Sequence, residues 1–291
     1  MPDEPAANAP DLEPRTGSPS PRLDEREFKR RFLSQFKDWV YDTLDNELGK
    51  VAAAAWDAYA HSRKSPITRK AGPGFADPDY DLGVDWLEAR GQFRAAQARF
   101  EDETCHRESS SSMARRRSEH TCPGEISKSF RMVEIAKEAF AEAGLTVNVL
   151  DLSRVPSEYR RQIHPFKACF STSAALCHWP CSCYPNYSLG QIHDRMNEIY
   201  PMWVEAHGIM IVSLVNWYQT PSPLKLMIDR LVCADGGNPD PPSTHGKHAK
   251  EAKELEMQGW DYPRHLSRRL FWVVVHGATE GVENVRRRVS D

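Results

Sequence analysis

HGIMIVSLVNWYQTPSPLKLMIDR, residues 207–230, changes character twice. Its first part, HGIMIVS (207–213), is apolar almost throughout, as a strand buried on both faces is. A polar and aromatic turn, Val215–Thr220, follows at once. Leu224, Met227, Ile228 and Leu231 then recur at i, i+3, i+4 and i+7, the spacing that seats one face of a helix on a core. Pro221 and Pro223 suit the first turn of that helix, where no N–H is needed. Asn216, Trp217, Tyr218 and Gln219 are thus predicted to stand on a short turn between two anchored elements. Ligands of open α/β sheets lie outside the carboxyl ends of the strands, so position alone makes this turn a candidate site. A flat heteroaromatic ring would meet an aromatic wall, amide groups and backbone N–H groups there. The same Trp and Tyr would equally serve to close the sheet end against a neighbouring loop, and the stretch alone leaves both readings open.

Outward from this stretch, the texture from Ser127 onward alternates strand and helix. SKSFRMVEIAKEAFAEAG (127–144) is helical in period and stops on Gly144, and LTVNVLDL (145–152) is a β-branched strand. Residues 190–205 read as helix and RLFWVVVHG (269–277) as another fully apolar strand. Near-continuous apolar runs alternating with helices predict a parallel sheet covered on both faces. Residues 1–22, rich in Pro, Ala, Asp and Ser, read as a disordered tail. Residues 23–103 read as a helical extension. Phe28, Phe32, Phe36, Trp39, Val40, Leu44 and Leu48 make one stripe, VAAAAWDAY (51–59) a short helix, and Val84–Phe100 another. RKSPITRKAGPGFADPDYD (63–81) between them reads as loop. The α/β part is assigned to residues 104–291.

The 291 residues carry a net charge of −3, which offers neither a nucleic-acid surface nor a basic membrane patch. No stretch approaches the ~20 apolar residues needed to span a bilayer. The first residues have neither the basic start nor the apolar centre of a secretory signal, so the expected compartment is the cytoplasm. Seven cysteines in such a chain imply reduced thiols or metal ligands rather than a disulfide framework.

The pattern S-x-V-N-W-Y-Q-x-P-x-x-L-K-x-M-I-D-R, followed by LVCADGGNPDP, resembles the NADPH-dependent FMN reductase family of flavodoxin-like proteins. Similarity extends upstream through RSEHTCPGEISKSFRMVEIAKEA and AGLTVNVLDLS and downstream to FWVVVHGATEG, covering roughly residues 115–290. Leu214 departs from it, standing where the family usually has proline. The resemblance implies a flavodoxin-like doubly wound parallel sheet, FMN as cofactor and NAD(P)H as co-substrate. It also implies a turn at Val215, Asn216, Trp217 and Tyr218 packed against the isoalloxazine ring, with Gly277 and Ala278 as a further wall. Arg117 and Ser118, with Ser127 and Ser129 at a helix start, are the nearest equivalents of its phosphate loop. A phosphate favours such a helix N-terminus, although Ser127 would equally serve as a plain helix cap. Hydride would pass from nicotinamide to flavin and on to a flavin, a quinone-like compound or another small-molecule acceptor, with no obligatory catalytic side chain. Relatives of this kind are commonly homo-oligomers. No nucleic-acid or membrane partner is expected.

Two features strain the resemblance. EDETCHRESSSSMARRR (101–117) stands where the family's first, central strand belongs, yet it has no apolar run, and a strand buried on both faces is not expected to read so. A further strand and helix beyond RLFWVVVHG are also wanting. The expectation is therefore an incomplete or frame-altered member, with its first strand degenerate. Cys169, Cys177, Cys181 and Cys183 form a separate cluster, C-x7-C-x3-C-x-C, without the paired spacing of common zinc modules. It could hold an iron–sulfur cluster or a zinc ion, or be a loop of reduced thiols. The alternatives to a reductase are accordingly an iron–sulfur flavoprotein or flavodoxin-like electron carrier, and a flavin-free scaffold. His207 and His276, flanking apolar strands, read as structural histidines.

Overall fold

A computed structural model of the chain describes residues 22–65, 67–102, 110–115, 124–155, 158–166, 174–232, 236–259, 264–277 and 280–290. Nearly all of the expected tail, residues 1–21, lies outside them, as do Cys169, Arg117, Ser118 and Ala278.

Helix α1 (Glu25–Leu33) starts on Asp24, whose carboxylate accepts the Glu27 N–H. Phe28 packs on Trp56 and Tyr59 of α2 (Asp45–Ala60), with ring centroids 5.6 and 4.8 Å apart. The aromatic stripe expected to run on to Leu48 breaks where residues 34–44 form two short 3₁₀ turns. Trp39 is 82% exposed there. A small antiparallel pair, β1 (Thr68–Lys70) and β2 (Asp81–Gly83), closes the Pro- and Gly-rich loop. Helix α3 (Val84–Glu101), assigned from its sequence to the extension, buries Phe93 and Ala96 in the main core.

The remaining chain builds a parallel sheet from β3 (Ser110–Arg115), β4 (Thr146–Asp151), β5 (Gly208–Leu214) and β6 (Leu270–His276). Between them run α4 (Lys128–Glu142), α5 (Met196–Glu205), α6 (Ser222–Leu231) and α7 (Ala249–Met257), and α8 (Val282–Ser290) follows β6. Strand order is β4-β3-β5-β6, all neighbours parallel. This matches the doubly wound, flavodoxin-like expectation in its mixed α/β plan and its parallel sheet.

One expectation is corrected. SSSMAR (110–115), judged unable to form a central strand, occupies the centre, with Met113 in register with Val149 on one side and Met210 on the other. A strand flanked on both sides gives every backbone N–H and C=O of its ladder a partner, whatever its side chains. The apolar neighbours β4 and β5 therefore organise a segment whose own composition carries little strand signal.

The two sheet faces are covered differently. Ile209 and Ile211 of β5 point into a large cluster with Phe93, Met196, Ile199, Trp203, Leu224 and Met227. Val212 points the other way, onto Val133 of α4, with Met210 and Val274 beside it. The period-two alternation of a strand assigns these residues to opposite faces.

At the back of the larger cluster a charge is buried. Arg230, at the end of α6, lies 1% exposed and pairs with the carboxylate of Asp194. Its guanidinium also donates to the His164 carbonyl at 2.7 Å and lies 3.6 Å from the Tyr184 ring centroid. Tyr200 donates its hydroxyl to the Arg230 carbonyl at 2.5 Å. These contacts tie α6 to α5 and to the 158–166 segment.

Candidate functional site at the carboxyl edge of the sheet

Because all four strands are parallel, their carboxyl ends share one edge. The turn after β5 stands there. Asn216 and Gln219 exchange backbone hydrogen bonds of 3.0 and 2.9 Å across it. Trp217 and Tyr218 between them have φ of 48° and 61°, so both central positions are left-handed. This is the geometry of a type I′ turn, which Asn and Gly adopt readily and bulky aromatics do not. Two aromatics are thus held where their backbone is strained, a condition found at binding sites when the surroundings enforce it.

The surroundings do enforce it. The Val215 N–H donates to the His276 carbonyl at 2.9 Å, extending the β5–β6 ladder by one bond. Gly277 backs onto Val215 so closely that a Cβ there would come within 3.1 Å of the valine side chain. Gly281, with φ of 112°, lies under Tyr218, and a Cβ there would meet its Cα at 3.1 Å. Arg288 of α8 donates to the Gln219 side-chain carbonyl. Held this way, Trp217 is 87% exposed and Tyr218 55% exposed. Neither ring closes the end of the sheet.

The start of α4 reaches the same edge. Ser127 caps the helix, its Oγ accepting the Phe130 N–H at 3.3 Å. Ser129 shares a hydrogen bond of 2.6 Å with Nε2 of His276, the last residue of β6. Both serines are 1% exposed, whereas Lys128 between them is exposed. The plain-cap alternative for Ser127 is thus the bond observed. His276, read as structural, has its partner in Ser129.

The structure therefore brings Ser129, Val215, Asn216, Trp217, Tyr218 and Gly277 to one edge, with Ser127 at the head of the adjoining helix. Arg117, Ser118 and Ala278 lie outside the described residues. Gly281 and Arg288 escaped the sequence reading as parts of this site. Gly281 gave one readable signal, a second glycine just past the strand–turn Gly277, but its partner Tyr218 is remote in sequence.

The cysteine cluster looks different in three dimensions. Among the described residues no group of three or more His, Cys, Asp or Glu side chains is arranged to hold a metal ion. The Cys183 N–H donates to Cys181 Sγ at 3.4 Å, and Lys247 Nζ donates to Cys183 Sγ at 3.6 Å. The iron–sulfur and zinc readings thus find no support among Cys177, Cys181 and Cys183. Cys169 lies outside the described residues.

No helix of the described residues is long and apolar enough to cross a membrane. No curated protein matches the chain. Residues 122–250 match the family model described as NADPH-dependent FMN reductase, a stretch that begins just before α4 and includes the aromatic turn and α6. Over that stretch the chain is similar to the NADPH-dependent FMN reductases, a flavodoxin-like family.

Proposed function

We propose that the chain holds FMN at the carboxyl edge of the sheet and uses it to carry reducing equivalents from NAD(P)H to a small-molecule acceptor, a flavin or a quinone-like compound. The observation that carries this reading is the strained turn within the family-matched stretch, which presents Trp217 and Tyr218 outward instead of burying them.

The residues present fit the ring end of the cofactor better than its phosphate end. Trp217 and Tyr218 offer flat apolar faces for stacking, and the fixed turn lowers the entropy lost when they order around a ring. Val215 and Gly277 supply a close-packed floor beneath the turn. At the other end, the Ser127 and Ser129 hydroxyls already have partners. Their part is to hold the start of α4 in place. The helix N-terminus and Lys128 then favour a phosphate through backbone N–H groups and positive charge. Arg117 and Ser118 complete the assignment from the sequence.

When bound, FMN supplies the hydride acceptor and the electron store of the reaction. The protein orients the ring, keeps one ring face open for nicotinamide or acceptor, and limits water at the apolar floor. No side chain is assigned a proton.

Absorbance of the purified protein in the flavin region, followed by FMN titration monitored by flavin fluorescence, tests the reading. Saturable FMN binding with NADPH-dependent bleaching is expected. The double substitution Trp217→Ala, Tyr218→Ala should weaken FMN binding by roughly tenfold to a hundredfold, as loss of stacking partners does. A colourless protein that takes up no added FMN would sink the assignment, and so would unchanged affinity in the double variant.

A further inference from the structure

We propose that Cys181 and Cys183 form a peroxide-sensitive thiol pair, oxidised reversibly to a disulfide, with Lys247 as the group that activates Cys183. The proposal is independent of the flavin reading. It rests on contacts of the CHWPCSCY segment (177–184) that the flavin reading does not use.

The first contact is Lys247 Nζ against Cys183 Sγ at 3.6 Å. Lys247 is exposed while Cys183 is buried, so the sulfur lies just beneath the surface at a point marked by a cation. An ammonium beside a sulfur favours the anionic, nucleophilic form, the usual microenvironment of a reactive cysteine. The second contact is the Cys183 N–H on Cys181 Sγ at 3.4 Å. It turns the Cys181 sulfur back along the chain toward Cys183. Two residues apart, the pair is held by chain connectivity to at most about 7 Å between Cα atoms, next to the Cα spacings that disulfides span.

The segment is also fixed in place. Trp86 Nε1 donates to the Pro180 carbonyl at 2.8 Å, and the Tyr184 hydroxyl donates to the Pro165 carbonyl at 2.6 Å. The Trp179 N–H donates to the Asn238 carbonyl at 2.8 Å, and the Asn238 N–H returns a bond of 2.5 Å to Cys177. The His178 imidazole bonds the Gly246 carbonyl, directly before Lys247. The loop that carries Lys247 is therefore stitched to the segment that carries both thiols, so their proximity is built into the fold.

The oxidant is hydrogen peroxide. The Cys183 thiolate attacks one peroxide oxygen, the O–O bond breaks, and the departing hydroxide takes up a proton to leave as water. The resulting sulfenic acid is then attacked at sulfur by Cys181, an S–S bond forms, and a second water leaves. In sum, two thiols and one peroxide give one disulfide and two waters. The sulfurs lose two electrons and the peroxide gains them. A dithiol reductant reverses the step by thiol–disulfide exchange.

The test treats the full-length protein with peroxide, alkylates the remaining thiols and maps them by peptide mass spectrometry, with circular dichroism to confirm folding of each variant. The 181–183 peptide should lose two hydrogens, escape alkylation, and regain it after dithiothreitol. Lys247→Met should slow the oxidation by roughly tenfold, whereas Lys247→Arg, which keeps the charge, should retain most of the rate. Cys181→Ser should leave Cys183 as a sulfenic acid trapped by dimedone. Thiols that stay fully alkylatable at doses that oxidise the exposed Met257 would overturn the proposal. So would equal rates in Lys247→Met and the parent, or a disulfide from Cys183 to any cysteine other than Cys181. FMN binding, read separately from flavin absorbance, keeps failure here distinct from failure of the proposed function.

Discussion

The two faces of the sheet are made from the same strands and are finished to different standards. On the face covered by α3, α5 and α6, Phe93, Met196, Ile199, Ile211 and Met227 are fully or almost fully buried, and even the charge of Arg230 is enclosed. On the face covered by α4, the buried cluster is Val133 and Val212, with half-buried residues around them. Leu270 and Trp272 of β6 lie on that side by their register with Gly208 and Met210, and both remain exposed, as does Ile135 of α4. A strand with identical backbone pairing thus contributes unequally to its two sides. The ladder fixes where side chains go, and the covering helices decide what burying them is worth.

The comparison can be broken or sharpened by substitution, starting with the packed face. Arg230→Ala would strand the Asp194 carboxylate in the core and should cost about 3–5 kcal/mol in urea unfolding. The paired change Arg230→Met with Asp194→Leu should recover most of that loss, because the penalty belongs to the unpaired charge and not to the absence of the pair. Met227→Ala opens a cavity on the same face and should lower stability by about 2–5 kcal/mol.

A pH dependence follows from the same side of the molecule. Burial holds the His178 imidazole down to about 4 from its ordinary 6.5, outweighing the help that the Gly246 carbonyl gives the charged form. Neutral, it donates Nε2–H to that carbonyl and accepts from the Ser182 hydroxyl at Nδ1, 2.8 Å away. The unfolded chain takes up the proton first as pH falls, so the contribution is whole above about pH 6.5 and is lost progressively toward pH 4. It amounts to about 3 kcal/mol. Unfolding free energies measured across this window should slope accordingly, and His178→Gln should flatten the slope.

Effects on the α4 face should be smaller. Ser129→Ala removes the hydroxyl partner of His276 and should cost about 1–2 kcal/mol, visible as a shift in the urea midpoint without a change in slope. Trp272→Thr should stay within about 0.5 kcal/mol, since the side chain is exposed and threonine suits a strand. A loss as large as that of Met227→Ala would show that the α4 face is as well packed as the other, and the contrast would fail.

Much of this architecture was legible. β5 and β6 were readable because each carries a dense apolar run, β4 because of its β-branched residues, and α3, α4 and α6 because their apolar residues repeat with helical period. The aromatic turn was readable as a position, between a strand end and a proline-marked helix start. Its conformation was not: nothing in Asn-Trp-Tyr-Gln announces two left-handed aromatics, which only Gly281, Gln219, Arg288 and the His276 carbonyl together impose. Phosphate roles for Ser127 and Ser129 were inferred from residue type at a helix start, while the bond that occupies Ser129 comes from His276, well over a hundred residues away in the chain.

The sequence by itself determined the alternation of buried strands and amphipathic helices, because hydrophobic period is a local property written in neighbouring residues. Tertiary structure alone decided three things: that polar SSSMAR is the central strand, that Arg230 can be buried, and that Lys247 meets Cys183. Each depends on a partner remote in sequence. Backbone hydrogen bonds, ion pairs and a cation beside a sulfur act through distance in space, and residue order records that distance only after the chain has folded.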